Sequence, residues 1–163
     1  MWIRTTHTTL AVIAAVCIGA SCACNQERPG GIDQSLDHAI AEIEAGLRPP
    51  KMAVGNLDAI RDFLDVEDVI DAYVRLLDPS VPAGPYNVAS GRGISIRDLL
   101  DLLLAESSIR PEVEVDEARW RPSDSSIGSA ERLEKDTGWA PAIPLRETLK
   151  RLLQSWREAI GAA

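Results

Sequence analysis

The sequence predicts a mixed α/β fold built from βα units around a small sheet. Two observations predict it: apolar residues recur at three- and four-residue spacing in several segments, and short alternating runs lie between those segments. A third observation qualifies it. No long Val/Ile-rich run of the kind that forms buried parallel strands is present, so the helices lack an extensive sheet to cover.

The N-terminal residues 1–31 stand apart from the rest, either as a signal-like segment or as an aberrant one not native to the domain. Arg4 precedes an apolar run from Leu10 to Ala20, and small residues follow at Ser21 and Ala23, the order found in secretion signals. The run is too short to span a bilayer comfortably. Cys22 and Cys24 lack a good apolar residue three positions upstream, which makes a lipoprotein signal weak. The remaining residues, 32–163, carry the folded pattern.

From Asp33 onward Leu36, Ile40, Ile43 and Leu47 define an amphipathic helix that closes at Gly46 and Pro49-Pro50. Lys51 to Val54 reads as a strand, Gly55-Asn56 as a turn, and Ile60 to Leu64 as a second extended piece. Asp65 is an N-cap for a helix over 66–77, with Val66, Val69, Ile70, Tyr73, Val74 and Leu77 as its predicted buried face, ended by Asp78-Pro79. Tyr86 to Ala89 reads as a buried strand running into the turn Ser90-Gly91-Arg92-Gly93. Ser95 with Asp98 makes an acidic capping box for a helix over 96–106, whose stripe is Ile96, Leu99, Leu100, Leu103 and Leu104. Residues 112–115 alternate as a strand, and 119–128 have the polar, Pro-containing character of a functional loop. Ser129 opens a helix that stops near Gly138, and a last helix over 145–160 turns Leu149, Leu152, Leu153 and Trp156 inward.

Composition narrows the function. With 163 residues, 45% of them hydrophobic and 26% charged, the chain has the balance of one folded domain rather than a disordered tail. Lys plus Arg number 17 against 25 Asp plus Glu, a net charge of -8, which argues against a sequence-independent grip on nucleic acid. All 3 cysteines, Cys17, Cys22 and Cys24, fall in the N-terminal stretch, so the folded part has no disulfide framework. His7 and His38 add no standard zinc spacing, and no metal is expected.

Two groups of residues suit anion chemistry. Arg61, in Val54-Gly55-Asn56-Leu57-Asp58-Ala59-Ile60-Arg61-Asp62-Phe63, sits after a turn and just before a helix, where a forked guanidinium suits a phosphate. A surface pair with Asp62 or Asp65 is the alternative use of the same charge. Arg119-Trp120-Arg121-Pro122-Ser123-Asp124 offers cations for a phosphate and a carboxylate for sugar hydroxyls, or else a solvated loop with an internal salt bridge. Gly91-x-Gly93 is a weaker signal, more often turn chemistry than a phosphate cradle.

The ordered segments VGNLDAIRDFLDVEDVIDAY, YNVASGRGISIRDLL, RWRPSD, SAERLEKDTGWAP and IPLRETLKRLL resemble the C-terminal part of extended short-chain dehydrogenases that modify nucleotide sugars. Within the NAD-dependent epimerase/dehydratase family the likeness is to the GDP-mannose 4,6-dehydratase group and the GDP-4-keto-6-deoxymannose reductases. RDFLDVEDV is more similar to the reductase branch. The resemblance covers roughly residues 39–158.

The resemblance implies a Rossmann-type enzyme whose N-terminal domain supplies cofactor and catalysis and whose C-terminal part holds a GDP-sugar. Arg61 and Arg121 match the arginines that contact the pyrophosphate, and Asp124 matches an acidic residue on the ribose side, where these groups more often carry Glu. The full-length family uses NADP or NAD and forms homo-oligomers in the cytoplasm. None of the cofactor is expected to bind this chain alone, because it has no glycine-rich turn after a strand and no Tyr followed four residues later by Lys: Tyr73 leads to Leu77 and Tyr86 to Ser90. The expectation is therefore a truncated dehydratase or reductase that keeps its GDP-sugar-binding residues and no catalytic ones. The alternative is an exported, non-enzymatic binding module fronted by a signal sequence.

Overall fold

A computed structural model describes residues 35–118 and 125–161. The expectations for residues 1–31 lie outside these residues. Among the described residues no helix is long and apolar enough to cross a membrane.

The elements run α1 (Leu36–Glu44), β1 (Lys51–Val54), β2 (Ile60–Asp62), α2 (Val66–Leu76), β3 (Gly93–Ser95), α3 (Ile96–Ala105), β4 (Glu112–Val115), α4 (Glu131–Thr137) and α5 (Leu145–Gly161). The strands make two small sheets: β1 pairs with β4 in parallel, and β2 pairs with β3 antiparallel. Such short strands cannot bury a large core alone, and helices provide most of it. One cluster joins Ile40 and Ile43 of α1, Met52 and Val54 of β1, Leu99, Leu100 and Leu103 of α3, and Leu149 and Leu153 of α5. A second joins Val69, Ala72 and Leu76 of α2 to Tyr86, Val88, Leu133 and Trp139.

The local chemistry of the helix ends follows the sequence. The Asp65 carboxylate accepts from the Glu67 N–H at 2.9 Å and caps α2. Ser95 Oγ accepts from the Asp98 N–H at 3.0 Å while its hydroxyl donates to the Asp98 carboxylate at 2.6 Å. Leu99, Leu103, Leu149 and Leu153 are all buried, as their periodicity predicts.

Six expectations need correction. Helix α1 ends at Glu44 and leaves Leu47 exposed, because the chain turns at Ala45 before that position reaches the core. β2 stops at Asp62 rather than at Leu64, since its ladder ends where the chain leaves to begin the cap of α2. The strand expected over Tyr86 to Ala89 is extended and buried but has no ladder partner among the described residues. The turn read at 90–93 instead leads into β3, which pairs Gly93 with Asp62 and Ser95 with Ile60. In α5, Leu152 faces solvent.

The largest difference concerns α2. Of the face predicted to be buried only Val69 is; Val66, Ile70, Val74 and Leu77 are 67%, 54%, 60% and 74% exposed. The helix carries apolar residues on two sides, and periodicity cannot say which side meets the core. Asp68 decides it. Its carboxylate accepts from the Ala142 N–H at 3.0 Å and the Ile143 N–H at 3.1 Å, and its carbonyl accepts from Trp139 Nε1 at 3.0 Å. These bonds turn Asp68, Ala72 and Leu76 inward and leave the other stripe in water.

The adjacent α5 residues Trp156 and Arg157 make polar contacts to both ends of α1. Trp156 Nε1 donates to the Asp37 carboxylate at 2.6 Å, and Arg157 forks onto Glu44 with bonds of 2.7 and 2.9 Å. Ser107 Oγ and the Ser108 N–H add to the same carboxylate. The Arg157 guanidinium first, with Ser107 and Ser108 behind it and burial opposing, holds Glu44 down from its ordinary 4.5 to about 2.

Two tests follow. Val69→Ala should cost about 1–3 kcal/mol by the loss of buried methyls, whereas Ile70→Ala should stay within about 0.5 kcal/mol, both read from urea unfolding. Equal costs would mean that the buried face of α2 is misassigned. Glu44→Gln should lower stability by about 2–3 kcal/mol at pH 7. A depressed carboxyl pKa stabilises the fold above pH 4.5 and loses that contribution as pH falls through the window from 4.5 to about 2. The gap between variant and wild type should therefore close across that window; a gap that stays constant with pH would remove the Glu44–Arg157 pair as its source.

Candidate functional site

Arg61 is the middle residue of β2 and is half-buried. Its backbone is held from both sides. On one side it pairs with Ile94 of β3. On the other it forms a parallel bridge with Ser126, in which the Asp62 N–H donates to the Ser126 carbonyl and the Ser126 N–H to the Ile60 carbonyl, each at 3.1 Å. Ser126 stands two residues beyond Asp124 in the sequence, and this segment is laced to the strand that carries Arg61. Arg121 and Asp124 themselves lie outside the described residues.

The Arg61 Nη1 donates to the carbonyl of Ile60 at 2.7 Å, which folds the guanidinium back along its own strand. The Asp62 and Asp65 carboxylates, the alternative partners of Arg61, are both buried. Asp65 caps α2 and accepts from Thr148 Oγ1 at 2.7 Å. Asp62 Oδ1 accepts from the Ser90 N–H at 3.1 Å and from the Ser90 hydroxyl, while Oδ2 accepts from the Gly91 N–H at 3.0 Å and the Gly128 N–H at 3.2 Å. Sequence reasoning missed this role. The only sign of it was Asp62 itself, placed where strand alternation turns it to the face opposite Arg61.

Two glycines in this cradle have specific reasons. Gly91 has φ 71°, a conformation that disfavours a side chain, and its N–H is given to Asp62, so Gly91-x-Gly93 is turn chemistry here. At Gly128 a Cβ would come within 2.5 Å of the Ala89 Cβ, so only glycine lets the loop stem approach that segment. A cleft of about 430 Å³ opens beside the patch, lined by Phe63, Asp65, Ser90, Arg92, Ile94 and Ile143. Arg61 is not among its described lining residues.

The described tyrosines offer no proton-transfer pair. Burial first, and then its hydrogen bond to the Asp136 carboxylate at 2.8 Å, push the Tyr86 phenol up, the reverse of activation. Neither tyrosine is followed by a lysine in the required register, and no glycine-rich strand-to-helix turn occurs in the sequence.

The fold matches the C-terminal part of extended short-chain dehydrogenase structures. The structure of RMD from Pseudomonas aeruginosa complexed with NADPH superposes with a TM-score of 0.71 at 35% identity, over 82% of this chain and 44% of that one. A UDP-glucose 4-epimerase from Stenotrophomonas maltophila, with bound NAD and formylated UDP-arabinopyranose, gives 0.65 at 26% identity, over 84% and 44%. The GDP-6-deoxy-D-mannose reductase of Pseudomonas aeruginosa is 38% identical over 128 residues, 77% of this chain and 42% of the relative. The family model for GDP-mannose 4,6 dehydratase matches residues 7–152, and the chain belongs to that family. It spans less than half the length of these relatives.

Gly128→Ala should destabilise by about 1–3 kcal/mol through overpacking against Ala89. Gly161→Ala, which meets nothing within 4 Å, should leave stability unchanged or raise it slightly. Urea midpoints of the two variants decide the matter, and a tolerated Gly128→Ala would mean that the stem does not press on Ala89.

Proposed function

We propose that this chain is the GDP-sugar-holding part of a dehydratase or reductase of the family, with Arg61 and Arg121 on the diphosphate and Asp124 accepting from a ribose hydroxyl. The observation that carries the reading is the bridge between Arg61 and Ser126. It draws together two segments about sixty positions apart, each of which brings arginine, and a diphosphate has charge enough for more than one guanidinium. The relatives supply the ligand class: one is a GDP-6-deoxy-D-mannose reductase and another was solved with a UDP-sugar.

Chemistry would need a dinucleotide-binding half, whose nicotinamide supplies or accepts hydride. This chain's residues bind and orient. The exposed stripe Val66, Ile70, Val74 and Leu77 supports such a partner, since it is an apolar surface that further helices could cover. Binding substrate alone cannot accelerate the chemical step.

The test is an assay of GDP-sugar conversion with NAD and NADP, using the full chain by itself and mixed with a dinucleotide-binding half from a relative. Turnover is expected only in the mixture. Cofactor-dependent turnover by the chain alone would reveal a catalytic site outside this reading. Arg61→Ala should weaken GDP binding by about 10- to 100-fold, the loss of one desolvated charge-assisted contact, as measured by calorimetry.

A further inference from the structure

The Asp62 carboxylate is a buried group with four donors, and they come from places far apart in the chain. Ser90 and Gly91 belong to the turn before β3, and Gly128 belongs to the stem that follows Ser126. The same residue's N–H holds the Ser126 carbonyl. Asp62 therefore fixes three backbones at one point, directly beside Arg61. A long arginine side chain has many rotamers, and its grip on an anion is only as well aimed as the strand beneath it.

We infer that Asp62 is a positioning residue for the diphosphate site: it touches no ligand, but its four accepted bonds hold β2, the Ser90–Gly91 turn and the Gly128 stem in the register that presents Arg61 to a nucleoside diphosphate. The inference rests on the reading of Arg61 given above. Asparagine cannot replace the carboxylate. It offers one acceptor oxygen and one NH₂ group, so whichever way it is turned the donors on one side lose their acceptor and meet another N–H. The register then loosens while the Arg61 side chain is still present.

The experiment measures binding of guanosine, GMP and GDP to the full chain by calorimetry, and follows the ratio of GDP to GMP affinity. Wild type should prefer GDP, and Arg61→Ala should erase most of that preference. Asp62→Asn should lower the ratio about tenfold with guanosine binding unchanged, and Asp62→Asn combined with Arg61→Ala should lose no more than Arg61→Ala alone, as expected for residues acting through one contact. Leu153→Ala, in the other core cluster, controls for lost stability: it should unfold earlier and keep the ratio. A ratio preserved in Asp62→Asn, or an equal loss of guanosine and GDP binding, overturns the inference. If Asp62→Asn does not fold, Ser90→Ala takes its place, since it removes one of the four donors; a drop of about twofold supports the inference and an unchanged ratio overturns it. A wild type with no preference for GDP, or a preference that survives Arg61→Ala, instead overturns the function proposed for Arg61, a result distinct from any failure of Asp62.

Discussion

The structure depends on buried and partly buried carboxylates that accept hydrogen bonds between segments distant in sequence. Its two sheets have strands of 3 and 4 residues, too short for ladders alone to tie the chain together. The joints are made instead by Asp37 with Trp156, Glu44 with Arg157, Asp65 with Thr148, Asp68 with the backbone of Ala142 and Ile143, and Asp62 with Ser90, Gly91 and Gly128. A carboxylate taken out of water without donors would cost several kcal/mol, so each of these contacts holds only in the full fold. They make the packing specific where apolar contacts alone would tolerate sliding.

This constraint links the core to the site. Asp65 and Asp68 set the end and the rotation of α2, and Asp62 sets the patch that carries Arg61. One short stretch, from Asp62 to Asp68, thus joins the strand of the candidate site to the second core cluster. The donors to Asp62 are mostly backbone N–H groups, whose positions follow the chain path and not side-chain rotamers, which makes the cradle stiff.

The exposed side of α2 is the counterpart of that order. A stripe of four large aliphatic side chains in water is an unfavourable surface for a small domain. The relatives are more than twice as long as the matched stretch.

Much of the local structure was legible in the sequence. Asp65 and the Ser95/Asp98 box mark helix starts because a cap is a bond between near neighbours, and the leucines of α3 and α5 mark their buried stripe by spacing alone. The ordered motifs around Arg61 also sufficed for the family. What the sequence could not determine were matters of partnership: which side of α2 is buried, that Gly93–Ser95 is a strand while Tyr86 to Ala89 has no ladder among the described residues, and that Asp62 is a joint rather than a surface charge. Periodicity reports that a face is apolar, and composition reports that a residue is charged. Only the tertiary structure decides what that face or charge meets, because the donors to Asp62 lie 28, 29 and 66 positions away along the chain and are brought together by the fold itself.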